Sequence, residues 1–385
     1  MNRKELMVKS ERIVVKVGSS LLVRDFQLDM NRLRDLAYNI AFLRERGKKV
    51  VLVSSGAVAC GMSTMGITQR ISDIPFKQAM AAIGQGILMQ RYCQVFAEFG
   101  IKVAQILLAP EDVHHRMKYL NARNTLQVLL DLGVLPIVNE NDTVAVAEIK
   151  FGDNDRLSAL VGSLWGAELL VILSDVEGLF TSDPRLNASS SLVKEVKTIT
   201  REIERMAGGK GSDIATGGMW SKIMAAKMAV LSGIGVIIAS GRDFSVLQRI
   251  CHGEEVGTFF HPREKSLKSK KRWIAFGMLP RGKIAIDKGA ERALYEKKSL
   301  LPAGIQAVYG DFEVGDCVEI MGGKGKVIAR GIVNYSAEEL QRILGLHTDE
   351  VERILGERNC EEEVIHIDNL VLLDDGNGNG GGEGD

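Results

Sequence analysis

Between Val134 and Leu160 the chain reads VLPIVNENDTVAVAEIKFGDNDRLSAL, which packs Asn139, Glu140, Asn141, Asp142, Glu148, Asp153, Asn154 and Asp155 into a short span. Asn offers hydrogen-bond donors and acceptors together, whereas an ionised Asp only accepts. That combination suits a small zwitterion carrying an ammonium and carboxylates. The bland reading is that Asn and Asp satisfy turn backbones. Against it, buried carboxylates clustered without a partner would be costly. NEND closes an apolar strand at 134–138 and GDND opens a helix at 156–165, with a β-like excursion over 143–151 between them. The two clusters can therefore face one pocket.

Four other stretches are suited to anions. In RIVVKVGSSLL, Lys16 is a charge inside an apolar strand, two residues before Gly18. A core lysine is rare unless it is paired or functional, and Gly18 lets backbone N–H groups approach an anion closely. A strand-end lysine that snorkels to water is the plain alternative. VLVSSGAVACG places Ser54, Ser55 and Gly56 where a strand gives way to a turn or helix, exposing backbone donors. LLVILSDVEG ends a strand on Ser174 and Asp175. Asp175 either caps the turn or contacts a ribose or adenine. Finally, Thr216, Gly217, Gly218, Met219, Trp220, Ser221 and Lys222 lead into a helix and form a candidate phosphate clamp. A lysine near a helix N-terminus opposes the macrodipole, so an anion is expected beside Lys222.

These residues need a scaffold. Apolar runs at 13–17, 50–53, 103–107, 134–138, 169–173 and 236–239 alternate with helical patterns at 31–46, 76–99, 120–132, 156–165 and 222–232. Such alternation predicts an α/β fold, a mainly parallel sheet sandwiched by helices, with ligands beyond the carboxyl ends of the strands. Residues 1–262 read as this first domain. The charged stretch 263–272 reads as a linker, and 273–373 as a small β-rich domain. Its strands are expected at 283–286, 305–309, 317–320 and 327–334, with one helical region around 337–344. Residues 374–385, DDGNGNGGGEGD, offer no apolar side chain to bury and are expected to be disordered.

Composition narrows the classes. Over 385 residues the formal net charge is zero and 45% are hydrophobic, so no global field draws the chain to nucleic acid or membrane. No apolar run is long enough to span a bilayer and no signal-peptide core opens the chain, which points to a cytoplasmic protein. Cys60, Cys93, Cys251, Cys317 and Cys360 form no CxxC pair, and the histidines are dispersed; neither a disulfide framework nor a protein-held metal site is expected. No GxGxxG occurs, and GMLPRGKI misses the P-loop because Ile284 stands where a hydroxyl must reach Mg²⁺.

Taken together, VVKVGSS, VLVSSGAVACG, YLNARNTL, PIVNENDTVAVAEIKFGDNDRLSALV, ILSDVEGLFTSDPR and ATGGMWSKIMAA resemble the glutamate 5-kinase branch of the amino acid kinase family over residues 10 to 262. Residues 273 to 373 resemble a PUA domain, a module also found on RNA-modifying proteins. The match departs from the branch's pattern at Trp220, which is bulky for that loop, and in the extra Gly-rich tail. Position by position, the resemblance implies that Ser55, Asp142 and Asn154 bind L-glutamate. It implies that Lys16, Ser174, Asp175 and the 216–222 loop bind ATP, which arrives with Mg²⁺. Lys16 and Lys222 would flank the transferring phosphoryl group, helped by N–H groups at Gly18 and Gly56, while Asp155 orients the two lysines. The family also implies a homo-oligomer (dimer or tetramer), feedback inhibition by proline, and coupling to a glutamyl-phosphate reductase. RNA binding as a main function is disfavoured, because Lys283, Lys288, Lys324, Lys326 and Arg330 are matched by acidic residues and lack interleaved aromatics. The nearer rival is a related kinase acting on aspartate or N-acetylglutamate.

Overall fold

Strands rich in Val, Ile and Leu build one large sheet in the first part of the chain. They are β1 (Arg12–Val17), β2 (Lys49–Val53), β3 (Val103–Leu108), β4 (Leu135–Glu140), β5 (Leu169–Ser174), β6 (Glu195–Val196), β7 (Gly235–Ser240) and β8 (Thr258–Phe260). Their spatial order is β3-β4-β2-β1-β5-β7-β8-β6. All neighbours run parallel except β7 and β8, which are antiparallel. Every residue of β5 is buried, as a parallel strand covered on both faces requires. The computed structural model describes residues 2–24, 27–69, 73–109, 112, 116–144, 154–184, 186–187, 189–208, 218–263, 269–355 and 362–373.

Helices cover the sheet: α1 (Arg3–Lys9), α2 (Met30–Glu45), α3 (Ala57–Thr64), α4 (Ile74–Ala97), α5 (Arg116–Asp131), α6 (Asn154–Trp165), α7 (Met219–Leu231) and α8 (Val246–Cys251). Local chemistry fixes their starts. Asp29 accepts from the backbone of Asn31 and Arg32 at the head of α2, and Asp73 accepts from Phe76 at the head of α4. Helices α3 and α4 touch through glycines. A Cβ on Gly61 would lie 2.0 Å from the Met80 carbonyl oxygen, and one on Gly84 would lie 1.9 Å from that of Ala57. The sheet's core joins Val15, Leu52, Ile137, Val171 and Ile237 to Leu36, Tyr92 and Phe96 from the helices.

The six expected strands and five expected helices are present, with ends shifted by a few residues. Short elements escaped the sequence reading. β6 and β8 are two and three residues long, and α1 and α8 are seven and six, too short for a hydrophobic period to emerge, while α3 was expected only as a turn or helix.

The chain divides into two units, Met1–Ser266 and Leu267–Asp385. The second holds a five-stranded sheet of β9 (Pro280–Ile286), β10 (Ile305–Gly310), β11 (Cys317–Met321), β12 (Val327–Ile332) and β13 (Leu370–Leu372), ordered β10-β9-β11-β12-β13. Its core includes Ile284, Val318, Ile320, Ile328 and Leu340. The expectation of one helical region is corrected here: helices occupy Lys288–Tyr295, Ala337–Arg342 and Thr348–Leu355. Asp287 caps the first of them by accepting from Ala290 N–H. The tail at 374–385 and, of the excursion expected over 143–151, residues 145–151 lie outside the described residues, while 143 and 144 form a turn.

Candidate active site

The carboxyl ends of the central strands carry the chemistry. Lys16 lies in the sheet's middle, paired in register with Val53 of β2 and Ile172 of β5. Its Nζ is 2.6 Å from Asp155 Oδ1, and Lys222 Nζ is 3.2 Å from Asp155 Oδ2. Ser221 Oγ donates to the same Oδ2 at 3.1 Å. Lys16, Asp155 and Lys222 are 2%, 0% and 5% exposed, so the group is nearly dry. Burial by itself would raise the Asp155 pKa, but the two ammoniums outweigh it and hold the carboxyl below its usual range. Among the described residues, both ammoniums converge on the Asp155 carboxylate at the strand ends.

Each member arrives on a different element. Lys16 comes from β1, Asp155 from the first turn of α6 and Lys222 from the first turn of α7. The anion expected beside Lys222 is Asp155. Gly18 caps the short helix Ser19–Leu22 in extended geometry (φ −80°), and a Cβ there would sit 3.7 Å from Lys16 Nζ. Gly56 caps α3 at φ +120°, a conformation side chains avoid.

Next to the lysine pair lies a chain of amides. Asn154 Nδ2 donates to the Ser54 carbonyl at 2.5 Å, and stands 2.8 Å from both Ser55 Oγ and Asn139 Oδ1. Glu140 N–H also donates to Asn139 Oδ1, and Asn139 Nδ2 donates to Gln85 Oε1 at 2.9 Å. Ser54 Oγ is 2.6 Å from the hydroxyl of Tyr92, which is fully buried on α4. Burial drives the Tyr92 pKa upward, so this hydroxyl stays neutral.

Most of the singled-out residues gather on this edge. Ser55, Asn154, Asp155, Lys16, Ser221 and Lys222 come together, with Gly18 and Gly56 beside them. Ser174 is buried at the end of β5 and donates to Asp175, which is exposed. Asp142 is half-buried in the turn after β4. Gly218, Met219 and Trp220 are half-buried at the head of α7. Thr216, Gly217, Glu148 and Asp153 lie outside the described residues. Sequence reasoning passed over Gln85 and Tyr92. Their seven-residue separation, two turns on one face of a long helix, was the available signal.

The sequence model of the amino acid kinase family matches residues 11–240, and that of the PUA domain matches residues 282–355. A glutamate 5-kinase from Syntrophotalea carbinolica is 49% identical over 371 residues, covering 96% of this chain and 99% of its own. This chain belongs to the amino acid kinase family, in its glutamate 5-kinase branch. A second member of the branch, the glutamate 5-kinase of Geobacter sulfurreducens, is 49% identical over 373 residues, covering 96% of this chain and all of its own. A solved UMP kinase from Bacillus anthracis aligns at 18% identity and a TM-score of 0.46, over 67% of this chain and 98% of its own. For a member of this family, the dry lysine pair stands at the strand ends where such a sheet receives its ligands.

Proposed function

We infer that this protein is a glutamate 5-kinase, transferring the γ-phosphoryl group of ATP to the side-chain carboxylate of L-glutamate to give L-glutamyl 5-phosphate. That is the first step in making proline from glutamate. The observation that carries the reading is the buried Lys16–Asp155–Lys222 group abutting the Asn154–Ser55 contact. A carboxylate is already a nucleophile at neutral pH, so no side chain must remove a proton. One carboxylate oxygen bonds to the γ-phosphorus as the bond to the β–γ bridging oxygen breaks, and the electron pair leaves with ADP. The protein's task is to hold two anions together and to stabilise the charge spread over the transferring group. Lys16 and Lys222 do this in a dry site, where a fixed charge acts most strongly.

Ser55, Asp142 and Asn154 are assigned to glutamate. Lys16, Ser174, Asp175 and residues 216–222 are assigned to ATP. Mg²⁺ would arrive with the nucleotide and would supply charge neutralisation at the phosphates. Both oxygens of Asp155 already face the lysines, so its part is to position them. We assign the kinase domain to 1–262 and the PUA domain to 273–373, in a cytoplasmic homo-oligomer. The acyl phosphate is reactive, so a reductase that consumes it is the expected functional partner.

The test is hydroxylamine trapping with ATP and Mg²⁺ across glutamate, aspartate, N-acetylglutamate and no acceptor. Hydroxamate from glutamate alone supports the reading; hydroxamate from another acceptor moves the protein to a different specificity.

A further inference from the structure

The amide relay beside the lysines has a fixed polarity. The Ser54 carbonyl oxygen can only accept, so the end of Asn154 that meets it at 2.5 Å is Nδ2. The Glu140 N–H can only donate, so the end of Asn139 that meets it is Oδ1, the atom also facing Asn154 Nδ2. Asn139 is left with Nδ2 to offer, and Gln85 must answer with Oε1. Two groups remain at the ends of the relay. Asn154 keeps Oδ1, an acceptor, and Gln85 keeps Nε2, a donor. Among the described residues neither atom has a partner, and Gln85 is half-buried rather than turned to solvent.

Their positions along the sheet edge matter. The order β4-β2-β1 puts Asn139 two strand spacings, roughly 10 Å, from the Lys16 strand. An amino acid with its side-chain carboxylate at the lysines presents its other end near Asn139 and Gln85. Helix α4 is held there by the Gly84 contact with Ala57, one residue before Gln85.

We propose that Gln85 is a specificity residue whose Nε2 donates to the α-carboxylate of the bound amino acid, while Asn154 Oδ1 accepts from its α-ammonium. The proposal rests on the glutamate reading above. It explains why a dicarboxylate is bound in one direction: the amide donor takes one carboxylate, and the lysines with ATP take the other.

Two substitutions separate a donor from a mere prop for Asn139. Gln85→Glu keeps an oxygen for Asn139 Nδ2 but replaces the donor with a negative charge. Gln85→Met removes both. A donor role predicts that both variants raise the KM for glutamate by about tenfold or more, Gln85→Glu the more severely, with the KM for ATP and kcat within about threefold of the parent. It also predicts that Gln85→Glu narrows or reverses the preference for glutamate over glutamate α-amide, whose NH₂ can donate to the new carboxylate. A prop predicts the opposite order, with Gln85→Glu near normal and Gln85→Met impaired. That order, or an unchanged preference between acid and α-amide, overturns the proposal. Failure of the underlying reading shows separately, as absence of glutamyl hydroxamate from the parent enzyme.

Discussion

Among single residues, Asp155 holds the catalytic lysines together. Its carboxylate meets two buried ammoniums, and removing one partner of a buried ion pair costs about 3–5 kcal/mol. Asp155→Asn is expected to lower the stability of the free protein by about that amount and to lower turnover by roughly a hundredfold or more. ATP should restore more stability to this variant than to the parent, because its phosphates replace the missing charge. Thermal melts with and without nucleotide check this. The pH dependence has a definite sign. The folded carboxyl titrates below its unfolded value, so its contribution is complete above about pH 5 and is lost as the pH falls toward the folded pKa. Acid titration of stability should therefore be shallower in Asp155→Asn than in the parent. Lys16→Ala and Lys222→Ala should each reduce kcat by orders of magnitude while the protein stays folded, and near-normal turnover in either would remove that lysine from the mechanism. Lys16 was legible in the sequence because a charge inside VVKV is anomalous. Gln85 was not, because a glutamine on a helix is ordinary until its neighbour in space is known.

At the scale of elements, glycines separate folding from function. Gly84→Ala places a Cβ 1.9 Å from the Ala57 carbonyl oxygen, so α3 and α4 must part. The expected cost is about 3 kcal/mol or more, with a glutamate KM that rises because Gln85 moves with the helix. Gly56→Ala imposes φ +120° on a side chain, a strain of about 1–3 kcal/mol. Gly18→Ala differs from both: its backbone is relaxed, but the new methyl sits 3.7 Å from Lys16 Nζ. It should fold normally and raise the KM for ATP. Chemical denaturation read beside steady-state kinetics distinguishes the three. The long apolar runs declared the sheet and its main helices because their periods differ, whereas α3 read only as a turn or helix after SSG. Its eight residues give too short a window.

At the scale of the molecule, each unit has its own apolar core, and the site described lies wholly within the first. Ile320→Ala, at a fully buried position of the second unit, should cost about 2–5 kcal/mol of that unit's stability while leaving both KM values unchanged. On the second sheet, Arg330 pairs with Glu319 at 2.9 Å and Lys283 lies 4.0 Å from the same carboxylate. These cations are offset by an acid, in keeping with the balanced charge read from the sequence. In the proposed reaction a carboxylate oxygen of the acceptor attacks phosphorus. Glutamate labelled with heavy oxygen in its side-chain carboxylate tests it most directly. Hydroxylamine cleaves an acyl phosphate at carbon, so the released phosphate should carry one heavy oxygen from glutamate. Phosphate free of the label, formed at the full rate of ATP consumption, would contradict the account.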